Sequence, residues 1–250
     1  MKKIALLAAV ALLAGCNGGN GNEIARGDNA PITPIAAPNG GDWTQMVTQT
    51  PEGGMLMGNP NAPVKVVEFS SMTCPHCATF AETGAPKLVS DYVKTGQVSF
   101  EFRNFVRDPL DITMALIARC NGASPQFFTM SDALFKEQKA IFERVQAAPP
   151  AELQQLANLP PAQQFQRYAG YAGLTAFAAQ RGLPSAKSSQ CLANQAETER
   201  LVQMNSDAVT NYQLQGTPTF LINNKVVEMP GVPEDKVWET LEQRIRDSLA

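Results

Sequence analysis

Cys74-Pro75-His76-Cys77 follows closely on a β-type run, Val64-Lys65-Val66-Val67-Glu68-Phe69, and reads as the opening of a helix. Two thiols three positions apart at a helix start can close a disulfide over one turn. The first sulfur then faces unpaired backbone N–H groups and the positive end of the helix dipole, which favour a thiolate. Thiolate is the species that attacks disulfides, so this placement predicts a redox nucleophile at Cys74. Cys77, one turn into the helix, is expected to be the shielded partner.

A chain of 250 residues has room for one medium domain with an insertion, or two small ones, and for a core that needs no staples. The formal charge is −3, and after the first three residues no basic run occurs, which argues against a nucleic-acid footprint. Lys2 and Lys3 precede an apolar stretch, Ile4 to Ala14, shorter than a comfortable bilayer span. It ends in Leu13-Ala14-Gly15-Cys16, which resembles a bacterial lipobox; the alternative is an ordinary signal peptide with a chance cysteine. Residues 1–15 are therefore expected to be a lipoprotein signal peptide and Cys16 the acylated first residue. Stable anchoring then needs more than one acyl chain. Residues 16–42, rich in Gly, Asn, Pro and Ala, read as a flexible tether with a mean span of roughly 25–30 Å. The folded region is expected to begin near Trp43, in the cell envelope and facing the periplasm.

With Cys16 assigned to lipid, Cys74, Cys77, Cys120 and Cys191 form an even set in an oxidising compartment. The simplest pairing joins Cys74 to Cys77 and Cys120 to Cys191. Four thiolates around zinc would want a second close pair, so no metal site is expected. For Cys120 and Cys191, two free buried thiols or a redox relay to Cys74 stand as alternatives. Closing their loop of about 70 residues would restrict the unfolded chain by roughly 4 kcal/mol.

Along the chain, Gly53 to Gly58 reads as a short edge strand, and Val64 to Phe69 as a central strand covered on both faces. Val98 to Arg103 alternates strictly, which predicts a strand with one face buried. Strand, helix and strand here make a right-handed βαβ unit. Asp111 is the expected N-cap of a helix from Ile112 to Cys120. From about 109 to 195 only helical spacing is found, broken by Pro149-Pro150 and Pro160-Pro161. Thr219 to Ile222 and Lys225 to Val227 flank a tight Asn223-Asn224 hairpin turn. Val237, Leu241, Ile245 and Leu249 line one face of a last helix.

A strand, a dithiol at a helix start, a helical interruption, then Gly216-Thr217-Pro218 leading into a hairpin and a final helix resembles the thioredoxin fold with a helical insertion. More closely it resembles the bacterial DsbA-like thiol:disulfide oxidoreductases. The fold expected is thus α/β, thioredoxin-like, with an inserted α-helical subdomain inside a domain spanning 43–250. The resemblance rests on Glu68 six residues before Cys74, on the Cys-Pro-His-Cys sequence and on Thr217-Pro218. It implies that Pro218 is cis beside the dithiol and that Thr217 meets an incoming peptide through its backbone. It also implies that the dipeptide Pro75-His76 tunes the potential, His76 by donating a hydrogen bond or charge to the Cys74 sulfur. Glu68 would be a buried acid exchanging a proton with Cys77. Pro75 and Met72 are expected beside the substrate, Met72 lining an apolar groove.

The activity this implies is protein dithiol oxidation without a cofactor. Cysteine-containing secreted proteins are the expected substrates, and a membrane oxidase of the DsbB type would recycle the enzyme. The alternatives are a disulfide reductase or isomerase, or a Cu(I) metallochaperone using Cys74 and Cys77. Isomerases resembling this fold carry an N-terminal dimerisation domain. Here only the tether precedes the fold, so a monomer is expected.

Overall fold

Val64–Ser70 (β3) and Val98–Asn104 (β4) lie side by side and parallel, with Val66 opposite Phe100 and Glu68 opposite Phe102. With Val47–Gln49 (β1), Met55–Gly58 (β2), Thr219–Ile222 (β5) and Lys225–Val226 (β6) they make a six-stranded sheet ordered β1-β2-β4-β3-β5-β6, in which all the remaining pairings are antiparallel. This computed structural model describes residues 32–250. The expected signal peptide, the lipid site Cys16 and the tether as far as residue 31 lie outside the described residues.

The folded region includes residues before Trp43. The Ile35 N–H donates to Thr95 O at 2.8 Å, and the Trp43 indole N–H donates back to Ile35 O at 2.8 Å. Gly96, with φ 74°, passes under that indole so closely that a Cβ would collide with it. Residues 32–42 are therefore laid along the domain rather than hanging free of it.

Two strands differ from their sequence patterns. Met55–Gly58 (β2) sits inside the sheet between Val47–Gln49 (β1) and β4, fully buried, and the edge position belongs to β1. β4 is buried along all seven residues despite its alternation. Its polar face is internally paired: Arg103 Nε donates to Glu101 Oε1 at 2.6 Å and Thr50 donates to the same oxygen at 2.7 Å. Arg103 also lies over the Phe69 ring. A polar face that satisfies itself can be covered, which periodicity alone does not reveal. Thr219–Ile222 (β5) and Lys225–Val226 (β6) join through Asn223 and Asn224, both at positive φ, as a tight hairpin requires.

The helices follow the sheet's two faces. On one lie Pro75–Thr83 (α1), the short turn Ala85–Lys87 (α2) and the final helix, with Phe80 edge-on to Phe220. Between β4 and β5 runs an all-helical insertion: Pro109–Ala118 (α3), Pro125–Gln146 (α4), Pro150–Leu156 (α5), Pro161–Tyr171 (α6), Leu174–Ala179 (α7) and Ser185–Leu192 (α8). Gln195–Tyr212 (α9) returns the chain to the sheet's other face, where Ala208 packs with Val67, Phe69 and Leu221. Val237–Leu249 (α10) closes the chain and buries Trp238, Leu241 and Ile245. Among the described residues no helix is long and apolar enough to cross a membrane.

One buried cation keys the insertion to the sheet. Arg119, just past α3, donates to Glu197 of α9 at 2.5 Å, to Asn104 of β4 at 3.2 Å and to Gly53 O at 2.9 Å. Beside it Cys120 is bonded to Cys191, 71 positions further along the chain, with Cα atoms 5.6 Å apart. Replacing both cysteines by alanine should lower the unfolding free energy by about 4 kcal/mol, read from guanidinium denaturation of the two proteins under the same oxidising conditions. An unchanged midpoint would show that this bond does not restrain the unfolded chain.

Candidate active site

Cys74 is the N-cap of α1 and Pro75 its first residue, a position where proline's missing N–H costs nothing. The Cys74 carbonyl starts the helix by accepting from Ala78 N at 3.1 Å. Cys77 lies in the first turn and is completely buried; both sulfurs are free thiols. Three chain segments meet at Cys74. Its Sγ donates to Thr217 O at 3.2 Å, across the cis Thr217–Pro218 peptide. Gln138 of α4 reaches in with Nε2 and donates to Met72 O and Cys74 O at 2.9 and 3.0 Å.

The third segment is the connection from β4 into the first turn of α3. Asp111 is fully buried and its carboxylate accepts from Ser71 Oγ at 2.5 Å, Met72 N at 2.8 Å and Arg107 N at 3.0 Å. Arg107 in turn donates to Ser71 Oγ at 2.9 Å and to Thr73 Oγ1 at 3.0 Å. The loop leading to the nucleophile is thus gripped from outside its own strand. Burial pushes the Asp111 carboxyl up to about 6 even with these hydrogen bonds opposing it.

The two sulfurs have opposite electrostatic fates. Cys74 is lowered to about 5: hydrogen bonding from the Cys77 thiol leads, aided by Thr217, the Cys77 backbone N–H and the Arg107 charge, and burial opposes. Cys77 is raised well above the ordinary thiol value by burial, then by its hydrogen bond with Cys74 and by the charges of Glu68 and Cys74. Beneath them Glu68, in β3, is fully enclosed, and burial raises its carboxyl to about 8. At neutral pH that group is an acid.

A groove of about 280 Å³ opens beside the dithiol, walled by Phe80, Phe220, Met229 and Val232 and flanked by His76, Thr217 and Pro218. Its mouth is polar where His76 Nδ1 lies 3.0 Å from Glu234 Oε1.

A family model described as thioredoxin matches residues 50–244. The chain belongs to the thioredoxin family. A putative protein-disulfide oxidoreductase of Rickettsia felis is 24% identical over 205 residues, covering 80% of this chain and 65% of that one. The chain therefore spans about two thirds of the length of such Rickettsia relatives. Disulfide bond formation protein D of Bacillus subtilis is 24% identical over 198 residues, covering 78% of each. Among solved structures, a protein-disulfide isomerase from Novosphingobium aromaticivorans is 33% identical with a TM-score of 0.70, covering 78% of this chain and 96% of that one. Wolbachia pipientis α-DsbA1, 21% identical with a TM-score of 0.59 over 78% and 92%, shares the fold. Within the thioredoxin family the architecture is DsbA-like, with the helical insertion in place.

The structure brings Cys74, Cys77, Glu68, Thr217 and Pro218 together. It corrects others. Met72 does not line the groove: its side chain is fully buried in the core, and only its backbone serves the site. His76 is paired with Glu234 and is two-thirds exposed, so the partner it takes is a carboxylate and not the Cys74 sulfur. Pro75 is exposed at the helix start, outside the groove's lining. Asp111 is not an N-cap; Asp108 caps α3 by accepting from Asp111 N at 2.9 Å, which frees Asp111 for the loop. Arg107, Asp111 and Gln138 were missed as site residues because they lie 30 or more positions from the dithiol. The one available signal was the density of charge in Arg107-Asp108-Pro109-Leu110-Asp111.

Truncating Asp111 to alanine leaves a buried N–H and a hydroxyl of the loop without their acceptor. The expected cost is about 3 kcal/mol of stability, with a smaller loss for Asp111→Asn, measured by chemical denaturation of the reduced proteins. Equal stability for both variants and the parent would mean that the loop is held by something else.

Proposed function

We propose that this thioredoxin-family protein is a thiol:disulfide oxidoreductase that acts as a dithiol oxidant, passing the Cys74–Cys77 disulfide to cysteine pairs of secreted proteins. The observation that carries the reading is the placement of two buried cysteines, Cys74 at the helix N-cap next to the Thr217–Pro218 wall of the groove and Cys77 inside the first turn, which favours a thiolate on the first and a thiol on the second. A stabilised thiolate favours the reduced protein, which makes its disulfide an oxidant.

A substrate thiolate attacks Cys74 Sγ of the oxidised protein. The Cys74–Cys77 bond breaks, a bond from Cys74 to the substrate forms, and Cys77 leaves with the electron pair and takes up a proton. A second substrate thiolate then attacks the first substrate sulfur and expels Cys74 as thiolate. The substrate loses two electrons and the protein gains them. In this reading an extended substrate segment lies against Thr217 and Pro218 while its side chains enter the groove. Acylation at Cys16 would hold the protein on a membrane facing the periplasm, within reach of a DsbB-type oxidase that restores the disulfide.

Isomerisation is the second reading, favoured because the 33% identical Novosphingobium structure bears that name. The potential separates them: an oxidant should sit at about −120 mV and an isomerase at about −180 mV, with a reductant lower still at about −270 mV, in equilibrium with glutathione or dithiothreitol. Cys77→Ser should trap substrates as mixed disulfides, and Cys74→Ser should trap none.

The thiolate also sets a pH signature. The folded value of Cys74 lies below its ordinary thiol value near 8.5, so ionisation stabilises the reduced fold. That stabilisation is full above about 8.5, shrinks as pH falls and is gone below about 5. The melting temperature of the reduced form relative to the oxidised form should therefore rise with pH across this window. A difference independent of pH would overturn the thiolate assignment.

A further inference from the structure

Among the described residues, four buried side-chain polar atoms lack a hydrogen-bond partner, and three of them surround the dithiol: Glu68 Oε1, Ser70 Oγ and Thr217 Oγ1. Native cores satisfy nearly all such atoms, and exceptions concentrated at one point mark a place with a task. Thr217 stands against Cys74. The other two belong to β3, at alternate positions, so both side chains leave the strand on the same face. That face is the one packed with Cys77, whereas Val67 and Phe69 between and beside them point to the α9 side. Ser70 is entirely buried; its hydroxyl makes no hydrogen bond in the resting site, yet it lies near enough to the Glu68 carboxyl and the Cys77 sulfur to favour the charged form of each. A free O–H is thus left on the strand face that carries the acid and packs with the leaving sulfur.

The exchange reaction needs such a group. Expelled Cys77 cannot persist as an anion in this enclosure, because burial and the neighbouring charges oppose it. Glu68 holds a proton at neutral pH but shares the strand with Ser70 rather than the helix with Cys77. A hydroxyl can donate and accept at once.

We propose that the Ser70 hydroxyl relays the proton between the Glu68 carboxyl and the Cys77 sulfur during thiol–disulfide exchange. The inference rests on the reading above that Glu68 serves Cys77 as its acid. As substrate thiolate bonds to Cys74 and the Cys74–Cys77 bond breaks, Ser70 gives its proton to Cys77 Sγ and takes one from Glu68. The products are the mixed disulfide, a Cys77 thiol, an unchanged Ser70 and a Glu68 carboxylate. The single negative charge that arrives on the substrate sulfur ends on Glu68. In the reverse direction the same two protons move back. The charged and titratable groups bearing on this path are Cys74 and Cys77 of α1, Asp132 of α4, which raises Glu68, and Arg107, which faces Cys74; Lys136 bears on Asp132.

The test is the rate at which a cysteine-containing peptide reduces the oxidised protein, followed from pH 5 to 9, for wild type, Ser70→Ala, Ser70→Thr and Glu68→Gln. The peptide's own thiolate fraction is divided out. Ser70→Ala is expected to slow the reaction about tenfold or more below pH 8, to lose the break that Glu68 ionisation gives the wild type, and to leave the Cys74 thiolate absorbance titration in place. Ser70→Thr, which keeps the hydroxyl, restores the rate. Because this core position can resist the extra methyl, a measurement on the wild type stands beside it: rate against deuterium fraction should curve, as two moving protons require, and become linear in Ser70→Ala. Wild-type rates in Ser70→Ala with a slow Glu68→Gln, or a linear dependence in the wild type, overturn the relay alone. Wild-type rates in both variants overturn the role of Glu68 as well.

Discussion

The Asp111 carboxylate is the constraint from which the rest of the site follows. A loop that must present a sulfur at a helix N-terminus cannot also pair its backbone within the sheet, because β3 ends at Ser70 and α1 begins at Pro75. The groups in between need partners from elsewhere. Asp111 supplies acceptors for Ser71 and Met72, Gln138 supplies donors for Met72 and Cys74, and Arg107 ties Ser71 to Thr73. Arg107 comes from the connection entering the insertion, Asp111 from the first turn of α3 and Gln138 from α4, the insertion's longest helix. The helical subdomain is therefore structural support for the dithiol as well as a cover for the sheet.

Holding the loop fixes the electrostatics. With Cys74 at the N-cap and Cys77 in the first turn both sulfurs are buried, but the Cys77 thiol and backbone N–H and the Arg107 charge favour an anion on Cys74, while burial opposes one on Cys77. The proton that both compete for then settles on Cys77, and the hydrogen bond it makes to Cys74 is the leading cause of the lowered value there. Each effect reinforces the other: charge on Cys74 raises Cys77, and a protonated Cys77 stabilises that charge. Glu68 completes the asymmetry from below by making a second anion in the enclosure unfavourable.

What could be read from the sequence was what is encoded locally. The dithiol at a helix start, the apolar run of β3, the Asn223-Asn224 hairpin and the helical spacing of the insertion each lie within a few turns or strand lengths. They appear in the structure as expected. The misreadings came where distant partners decide. Alternation in β4 looked half exposed because nothing local tells that Glu101 and Arg103 pair under a covering helix. Asp111 looked like a cap because Asp-Pro-Leu-Asp offers two capping acids, and only the loop's need for an acceptor selects Asp108. Met72, beside the nucleophile in sequence, was placed in the groove, but the turn into α1 sends its side chain into the core.

His76 shows how far the pairing of one side chain shifts the origin of reactivity. Standing between the cysteines, it is the group best placed in sequence to bear on the thiolate. In the fold it pairs instead with Glu234, which precedes α10, across the mouth of the groove. Both partners are largely exposed, so the contact adds little to stability. Its consequence is geometric: it sets one rim of the opening through which a substrate would approach. The anion on Cys74 is stabilised first by the Cys77 thiol one turn along, and then by groups that sequence proximity does not supply, among them Thr217 from the loop before β5 and Arg107 from the connection after β4. A change at position 76 would act first on the shape and charge of the groove, whereas changes at 107 or 217 would act on the sulfur itself. For the oxidant proposed above, this would place substrate choice and oxidising strength on different residues of the same small site.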